Sequence, residues 1–224
     1  MKQKALLIAT ASVLLLTFIT GSLIYKNHKA EKSAQLVDQN RSSLIRPHSP
    51  SLGRDDAPVV IVEFFDPACG TCQAFHPLVM GLLESHPDQV RLVLRYAPFH
   101  EGSDKIVAVL EAARKQDMFW PVLDVLMDTQ DDWKPLQAAK VDLVWQHLEH
   151  LDLDLDQMRT DMNDPEIALI ITQDIEDANK FNIDTTPEFF INGKPLPRFG
   201  AEPLKQMVNE AVKASSSQPP GVTR

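Results

Sequence analysis

Cys69 and Cys72 are the only cysteines in this 224-residue chain, and Gly70 and Thr71 separate them. Two thiols at this spacing can close a small disulfide ring and open it again by exchange with another thiol. An apolar run at residues 59–65 precedes them, so a strand would lead into a helix that begins near Cys69. The positive end of that helix would stabilise a thiolate, which is the reactive form of cysteine. The spacing therefore predicts a redox pair, with Cys69 as the more exposed nucleophile and Cys72 as the more buried partner.

Two other uses of a cysteine pair fit the sequence less well. A closed zinc site needs four ligands, commonly from two such pairs, and here the nearest further ligand is His76. A purely structural disulfide at this spacing would close a very short loop and stabilise the fold little. Without other cysteines, the pair also cannot belong to a larger disulfide framework. The sequence thus predicts neither a metal nor a cofactor.

The elements around the cysteines follow a strand–helix–strand order. Residues 59–65 form a nearly continuous apolar run, which is typical of a buried central strand. After a turn at 66–68, apolar residues recur at helical spacing over 75–83, and residues 86–88 end the predicted helix. Residues 90–96 alternate between apolar and polar side chains, as in a second strand. This order predicts a parallel crossover unit.

The second half of the domain is predicted to be helical before it returns to the sheet. Helical patterns fill residues 104–180, and the alternating residues 151–156 are interpreted as a helix start capped by an aspartate rather than as a strand. A short apolar strand at 188–191 then leads into Asn192-Gly193, a strong hairpin signal. The return strand begins at Lys194, and its prolines favour a sheet edge. Residues 202–212 form the predicted closing helix.

The two ends of the chain differ from the domain in composition. Residues 5–25 are apolar and uncharged, which favours an uncleaved signal anchor or transmembrane helix at 1–25 over a cleaved signal peptide. Residues 26–56 are predicted to be a polar linker and 214–224 a disordered tail, which leaves one domain at 57–213. The net charge of −9 and the lack of a basic stripe argue against nucleic-acid binding.

Three separated features resemble the DsbA-like branch of the thioredoxin superfamily. They are the strand ending in Glu63-Phe64-Phe65 before the Cys69–Cys72 motif, the helical block in mid-domain, and Thr186-Pro187 with Gly193 six positions later. The resemblance implies an α/β thioredoxin fold interrupted by a helical subdomain. It also implies a cis peptide bond before Pro187, facing the cysteines. In such proteins the residues before this proline, here Thr186, offer backbone groups to an extended substrate peptide.

The resemblance also assigns roles to residues near the cysteines. Glu63 matches the buried acid of thioredoxin-like proteins, which accepts the proton of the second cysteine; alternatively, it points to solvent from a strand edge. Gly70 and Thr71 tune the redox pair and differ from the Pro-His of the best-known strong oxidants. Because Thr71 supplies no positive charge, the pKa of Cys69 would be depressed less than in those oxidants.

The predicted function is that of an exported thiol:disulfide oxidoreductase acting on protein cysteines. It would lie in the periplasm or another extracytoplasmic compartment, anchored to the inner membrane by residues 5–25. We expect an oxidant that a DsbB-type membrane partner reoxidises. The alternatives are a reductant supplied by a membrane electron donor, and a non-enzymatic thiol metallochaperone or holdase.

Overall fold

Five β-strands form one mixed sheet in the computed structural model, which describes residues 14–15, 17–18, 20–21 and 41–216. The strands lie in the order β1-β3-β2-β4-β5. Strands β2 and β3 are parallel, and the other neighbouring pairs are antiparallel. The strands are β1 (Ser51–Leu52), β2 (Val59–Phe65), β3 (Val90–Tyr96), β4 (Glu188–Ile191) and β5 (Lys194–Pro195). The predicted parallel crossover is confirmed, with β2 in the centre of the sheet.

Helices cover the sheet and fill the predicted insertion. The described helices are α1 (Arg41–Leu44), α2 (Gly70–Ser85), α3 (Ser103–Arg114), α4 (Phe119–Asp128), α5 (Gln130–Trp133), α6 (Trp145–Leu148), α7 (Leu155–Asp161), α8 (Pro165–Lys180) and α9 (Ala201–Ser216). Short 3-10 turns at Pro135–Gln137 and Val141–Leu143 lie between α5 and α6. The chain thus runs through α3 to α8 between β3 and β4, as the predicted insertion at 104–180 requires. Asp154 caps α7 by accepting a hydrogen bond from the Gln157 amide, as predicted.

The alternation of side chains along β2 divides the core into two layers. Ile61 and Phe65 face a large cluster that contains both cysteines and residues of the helical insertion. Val62 and Phe64 face a smaller cluster on the other side of the sheet, together with Leu44. Because side chains alternate along a strand, Glu63 lies on the same side as Ile61 and Phe65, toward the cysteines.

The prediction of a polar linker at 26–56 is wrong for residues 41–52, which pack on the domain. Strand β1 pairs with β3, and Leu44 is buried. The buried Arg95 donates hydrogen bonds to the backbone oxygens of Ser43 and Leu44. A short, polar segment carries little hydrophobic signal, so the sequence could not indicate that a buried arginine would bind its backbone.

The other terminal predictions are only partly covered by the described residues. Helix α9 continues to Ser216, so residues 214–216 of the predicted tail are helical. The rest of the tail, residues 26–40 of the linker and most of the predicted signal anchor at 1–25 lie outside the described residues. Within the described part of the chain, no helix has the length and apolar character that crossing a membrane requires.

Candidate active site

The two cysteines lie at the connection between β2 and α2. Cys69 is the N-cap residue of α2, with extended backbone angles, and Cys72 lies in its first turn. The Cys69 amide donates to the backbone oxygen of Asp66 at 3.0 Å, and the Cys69 oxygen accepts from the Gln73 amide at 3.1 Å. Both thiols are free, with 5 % of Cys69 and 1 % of Cys72 exposed. The more accessible sulfur therefore belongs to the residue at the helix N-terminus.

Hydrogen bonds lower the pKa of the Cys69 thiol to about 5. The largest contribution is the hydrogen bond with the Cys72 side chain, and burial opposes it. The side chain of Thr186 and the backbone amides of Cys72 and Thr71 stabilise the thiolate further. Cys69 is consequently a thiolate at neutral pH, which is the form that takes part in disulfide exchange.

The pKa of Cys72 moves in the opposite direction, well above the ordinary value for cysteine. Burial is the main cause, and the hydrogen bond with Cys69 and the charges of Glu63 and Cys69 add to it. The pair therefore holds one thiolate and one thiol, with the proton on the buried sulfur. This asymmetry is what a nucleophile and its partner cysteine need.

Glu63 is buried in the middle of β2, between β3 and β4. Its register partners are Leu94 and Phe189, so it does not lie on a sheet edge, and only 4 % of it is exposed. Burial raises the pKa of Glu63 to about 8, and the negative charge of Cys69 adds to the effect. A carboxyl group with this pKa can hold or release a proton near neutral pH.

Thr186 and Pro187 close the site from the other side. Their peptide bond is cis, as the resemblance implied. The Cys69 sulfur lies 3.3 Å from the backbone oxygen of Thr186, to which it donates a hydrogen bond in the thiol form. Pro187 is buried and Thr186 is half-buried. The two segments that the sequence singled out, more than a hundred residues apart, thus meet at Cys69.

Gly70 and Thr71 form the exposed first turn of α2. Thr71 acts on Cys69 through its backbone amide. This contribution needs no positive charge on the Thr71 side chain, because the backbone amide at the helix N-terminus supplies the hydrogen bond.

Asp66 is a buried residue of the site that the sequence argument missed. Its side chain accepts hydrogen bonds from the amides of Ala68, Phe99 and His100 at 2.8–2.9 Å. It also accepts from His100 Nδ1 at 2.6 Å and from the Ser103 hydroxyl. Asp66 therefore ties the turn before Cys69 to the segment after β3. An aspartate between a strand and a helix is common in turns, so its type alone gave no signal.

Gln130 is a second missed residue, and it comes from the helical insertion. Its side chain is fully buried and donates to the backbone oxygens of Pro67 at 2.8 Å and Cys69 at 3.1 Å. Sixty-one residues separate it from Cys69, so no local pattern could connect them. In the described part of the chain, no three His, Cys, Asp or Glu side chains converge as metal ligands would.

Comparisons with known proteins agree with this geometry. A family model described as Thioredoxin matches residues 46–210. A thioredoxin-like oxidoreductase from Silicibacter pomeroyi is similar in structure, with a TM-score of 0.66 and 31 % identity over 78 % of this chain and 98 % of that one. The probable disulfide bond formation protein D of Bacillus anthracis is 27 % identical over 87 % of this chain and 90 % of its own length.

A third relative is much longer than this chain. The Na(+)/H(+) antiporter NhaA 3 of Salinispora tropica is 30 % identical over 96 % of this chain, which spans 34 % of that protein. The chain thus spans about a third of the length of the antiporter relatives that it matches. The family match covers most of the domain and includes the cysteine pair, Glu63 and the Thr186-Pro187 turn. The chain belongs to the thioredoxin family.

Proposed function

We propose that this protein is an exported oxidant that introduces disulfides into protein substrates through Cys69 and Cys72. The observation that carries the proposal is the asymmetry of the pair, in which the pKa of Cys69 is lowered to about 5 while that of Cys72 is raised. A stable Cys69 thiolate favours the reduced form of the pair. It therefore makes the disulfide a better acceptor of electrons.

The reaction starts from the Cys69–Cys72 disulfide. A substrate thiolate attacks the Cys69 sulfur, a mixed disulfide forms and Cys72 leaves. The second substrate thiolate then attacks the substrate sulfur of the mixed disulfide, which releases Cys69 as a thiolate. The substrate loses two electrons and two protons and gains a disulfide. The enzyme gains the two electrons and ends as the Cys69 thiolate and the Cys72 thiol.

Glu63 supplies the proton that the leaving sulfur needs. With a pKa of about 8, Glu63 is mostly protonated at neutral pH. Cys72 is buried on the same side of the sheet, and its raised pKa means that its thiolate takes up a proton readily. One of the two substrate protons thus ends on Cys72 and the other goes to solvent, since Glu63 is reprotonated.

Two features suit a protein substrate. The backbone oxygen of Thr186 lies beside the nucleophile, so an extended peptide could pair with this segment as an added strand. The exposed ring of Phe199 packs on Phe75 of α2, with centroids 4.9 Å apart, and half of its surface remains open to an apolar partner. We propose these residues as the place where the substrate backbone and an apolar side chain bind.

The proposal includes export and a membrane partner. Its support is the apolar sequence at residues 5–25, and the chemistry itself, because disulfides persist in oxidising compartments. Each turnover leaves the pair reduced, so a DsbB-type membrane protein would have to accept the two electrons.

The test is the reduction potential of the Cys69–Cys72 pair in the full-length chain, measured in detergent against glutathione. Cys69→Ser serves as the control that cannot equilibrate. A potential between about −120 and −180 mV would support the oxidant. A potential near about −270 mV would instead support a reductant kept reduced by a membrane donor. A pair that never equilibrates would contradict both enzymatic functions and favour the metallochaperone or holdase.

A further inference from the structure

Lys134 is a buried cation at the edge of the active site. It directly follows α5, and only 8 % of it is exposed. Its ammonium donates to the side-chain oxygen of Gln130 at 2.8 Å. None of the ion pairs among the described residues involves Lys134. A buried ammonium is costly without a compensating negative charge, so its position calls for an anion nearby.

The ammonium lies against the first residue of α2. A Cβ atom built on Gly70 would be 3.6 Å from Lys134 Nζ and 3.9 Å from the side-chain oxygen of Gln130. Gly70 follows Cys69 directly, at the positive end of the helix dipole. That end repels a cation, so the helix cannot be what stabilises Lys134. The residue that directly precedes Gly70 is Cys69, whose lowered pKa favours the thiolate.

Gln130 fixes where the ammonium lies. Its amide nitrogen binds the backbone oxygens of Pro67 and Cys69, on the turn that carries the nucleophile. Its amide oxygen is thereby turned toward Lys134. The insertion is thus connected to the redox turn by a chain of hydrogen bonds from Lys134 through Gln130 to Cys69.

We propose that Lys134 is a redox-tuning residue of the Cys69–Cys72 pair. Its ammonium, oriented by Gln130, stabilises the Cys69 thiolate electrostatically and shifts the thiol–disulfide equilibrium toward the reduced pair. Lys134 acts through Cys69 and does not touch the substrate. This inference rests on the proposed function, because a shift toward the reduced pair makes the disulfide a stronger oxidant.

Other titratable groups surround the redox pair, and the test must separate their effects from that of Lys134. They are Glu63 on β2, Asp66 after β2, Cys72 and His76 on α2, and His100 after β3. His76 is bound to Asp124 at 2.8 Å and His100 to Asp66 at 2.6 Å. Lys134, by contrast, carries a positive charge that no carboxylate neutralises among the described residues.

The test compares Lys134→Gln and Lys134→Met with wild type in the reduced, full-length chain in detergent. The first readout is the Cys69 pKa, from the pH dependence of alkylation by iodoacetamide. The second readout is the equilibrium constant with glutathione. We expect the pKa to rise by about half a unit to one unit, and the pair to become about three- to tenfold less oxidising. Lys134→Arg should restore both values.

Lys140→Gln is the matched control, because Lys140 is exposed in the same insertion. Folded Lys134→Gln or Lys134→Met with an unchanged Cys69 pKa would overturn the proposal, and so would an equal shift in Lys140→Gln. If one neutral variant does not fold, the other decides. The pKa is measured without any substrate, so the role of Lys134 can fail while the oxidant function stands, and the reverse.

Discussion

The Cys69 sulfur lies 3.3 Å from the backbone oxygen of Thr186, which is 117 residues away in the sequence. The sheet explains this contact. Strands β2 and β4 are antiparallel neighbours in which Phe64 pairs with Glu188, so the end of β2 meets the start of β4. Cys69 follows the first strand and Thr186 precedes the second. The helical insertion lies between them in sequence without separating them in space.

Replacing Thr186 by valine should raise the Cys69 pKa by less than about one unit. Valine keeps the shape of threonine but removes the hydroxyl that stabilises the thiolate. The backbone oxygen remains in place. The pH dependence of Cys69 alkylation measures the change, and Thr185→Val, at the exposed neighbouring position, is the control. An unchanged pKa in Thr186→Val would mean that the hydroxyl does not contribute.

Replacing Glu63 by glutamine should make stability less sensitive to pH. The pKa of Glu63 is about 8 in the folded protein and near 4.5 when unfolded. Between these values only the unfolded chain ionises, so unfolding releases a proton and the free energy of unfolding falls as the pH rises. The stability that the raised pKa of Glu63 provides is complete below the pKa of the unfolded state, and it is lost as the pH rises toward the pKa of the folded state.

The oxidised protein is the form to use, because the titration of the Cys69 thiolate acts in the opposite direction in the reduced form. In the disulfide form burial still raises the pKa of Glu63, although the charge of Cys69 no longer adds to the effect. From about pH 5 to pH 7, wild type should lose roughly 2 kcal/mol relative to Glu63→Gln. Urea unfolding at several pH values measures this difference. Glu84→Gln, on the exposed side of α2, should follow wild type. Parallel curves for wild type and Glu63→Gln would contradict the raised pKa.

Local sequence patterns predict several residues of the candidate site. The spacing of Cys69 and Cys72 indicates thiol–disulfide chemistry, and an acidic residue such as Glu63 is unusual within an apolar strand. Thr186-Pro187 required the resemblance, because most bonds before proline are trans. The central strand, the crossover and the helical block follow from hydrophobic periodicity, which needs only neighbouring residues.

The residues that sequence reasoning missed all depend on distant partners. Gln130 and Lys134 belong to the insertion, and only the packing of that insertion on the redox turn gives them a role. Arg95 interrupts an apolar strand, but its partners lie in α8 and in the segment around α1. Without knowledge of which helix covers which face, such polar residues look like ordinary surface residues.

Asp174 should be essential for stability, in contrast to exposed acids. It accepts hydrogen bonds from Arg95 at 2.7 and 3.0 Å, from His48 and from the Tyr96 amide, with its side chain fully buried. Asp174→Asn leaves the buried charge of Arg95 less compensated, so we expect a loss of about 3–5 kcal/mol in the free energy of unfolding.

Hydrogen exchange should also become faster in residues 43–52, which Arg95 and His48 hold on the domain. Asp156→Asn is the matched control. Asp156 is 97 % exposed and pairs only with Arg159 in the described structure, so its loss should change stability by less than about 0.5 kcal/mol. Similar losses in both variants would show that burial of the cluster contributes little.

Replacing Gly102 and Gly81 by alanine should change the stability of the protein in opposite directions. Gly102 caps α3 with a φ of +75°, and a Cβ there would lie 2.5 Å from the backbone oxygen of Ala139. Gly102→Ala should therefore destabilise the protein by about 1–3 kcal/mol through backbone strain alone, and the clash adds to this loss. Gly81 lies inside α2, and apart from the adjoining backbone of its own helix nothing lies within 4 Å of its Cβ position, so Gly81→Ala should stabilise by about 0.5–1 kcal/mol. Urea unfolding of both variants tests the pair. A neutral Gly102→Ala would mean that the loop around Ala139 can move aside, and the connection between the site and the insertion would then be looser than the packing indicates.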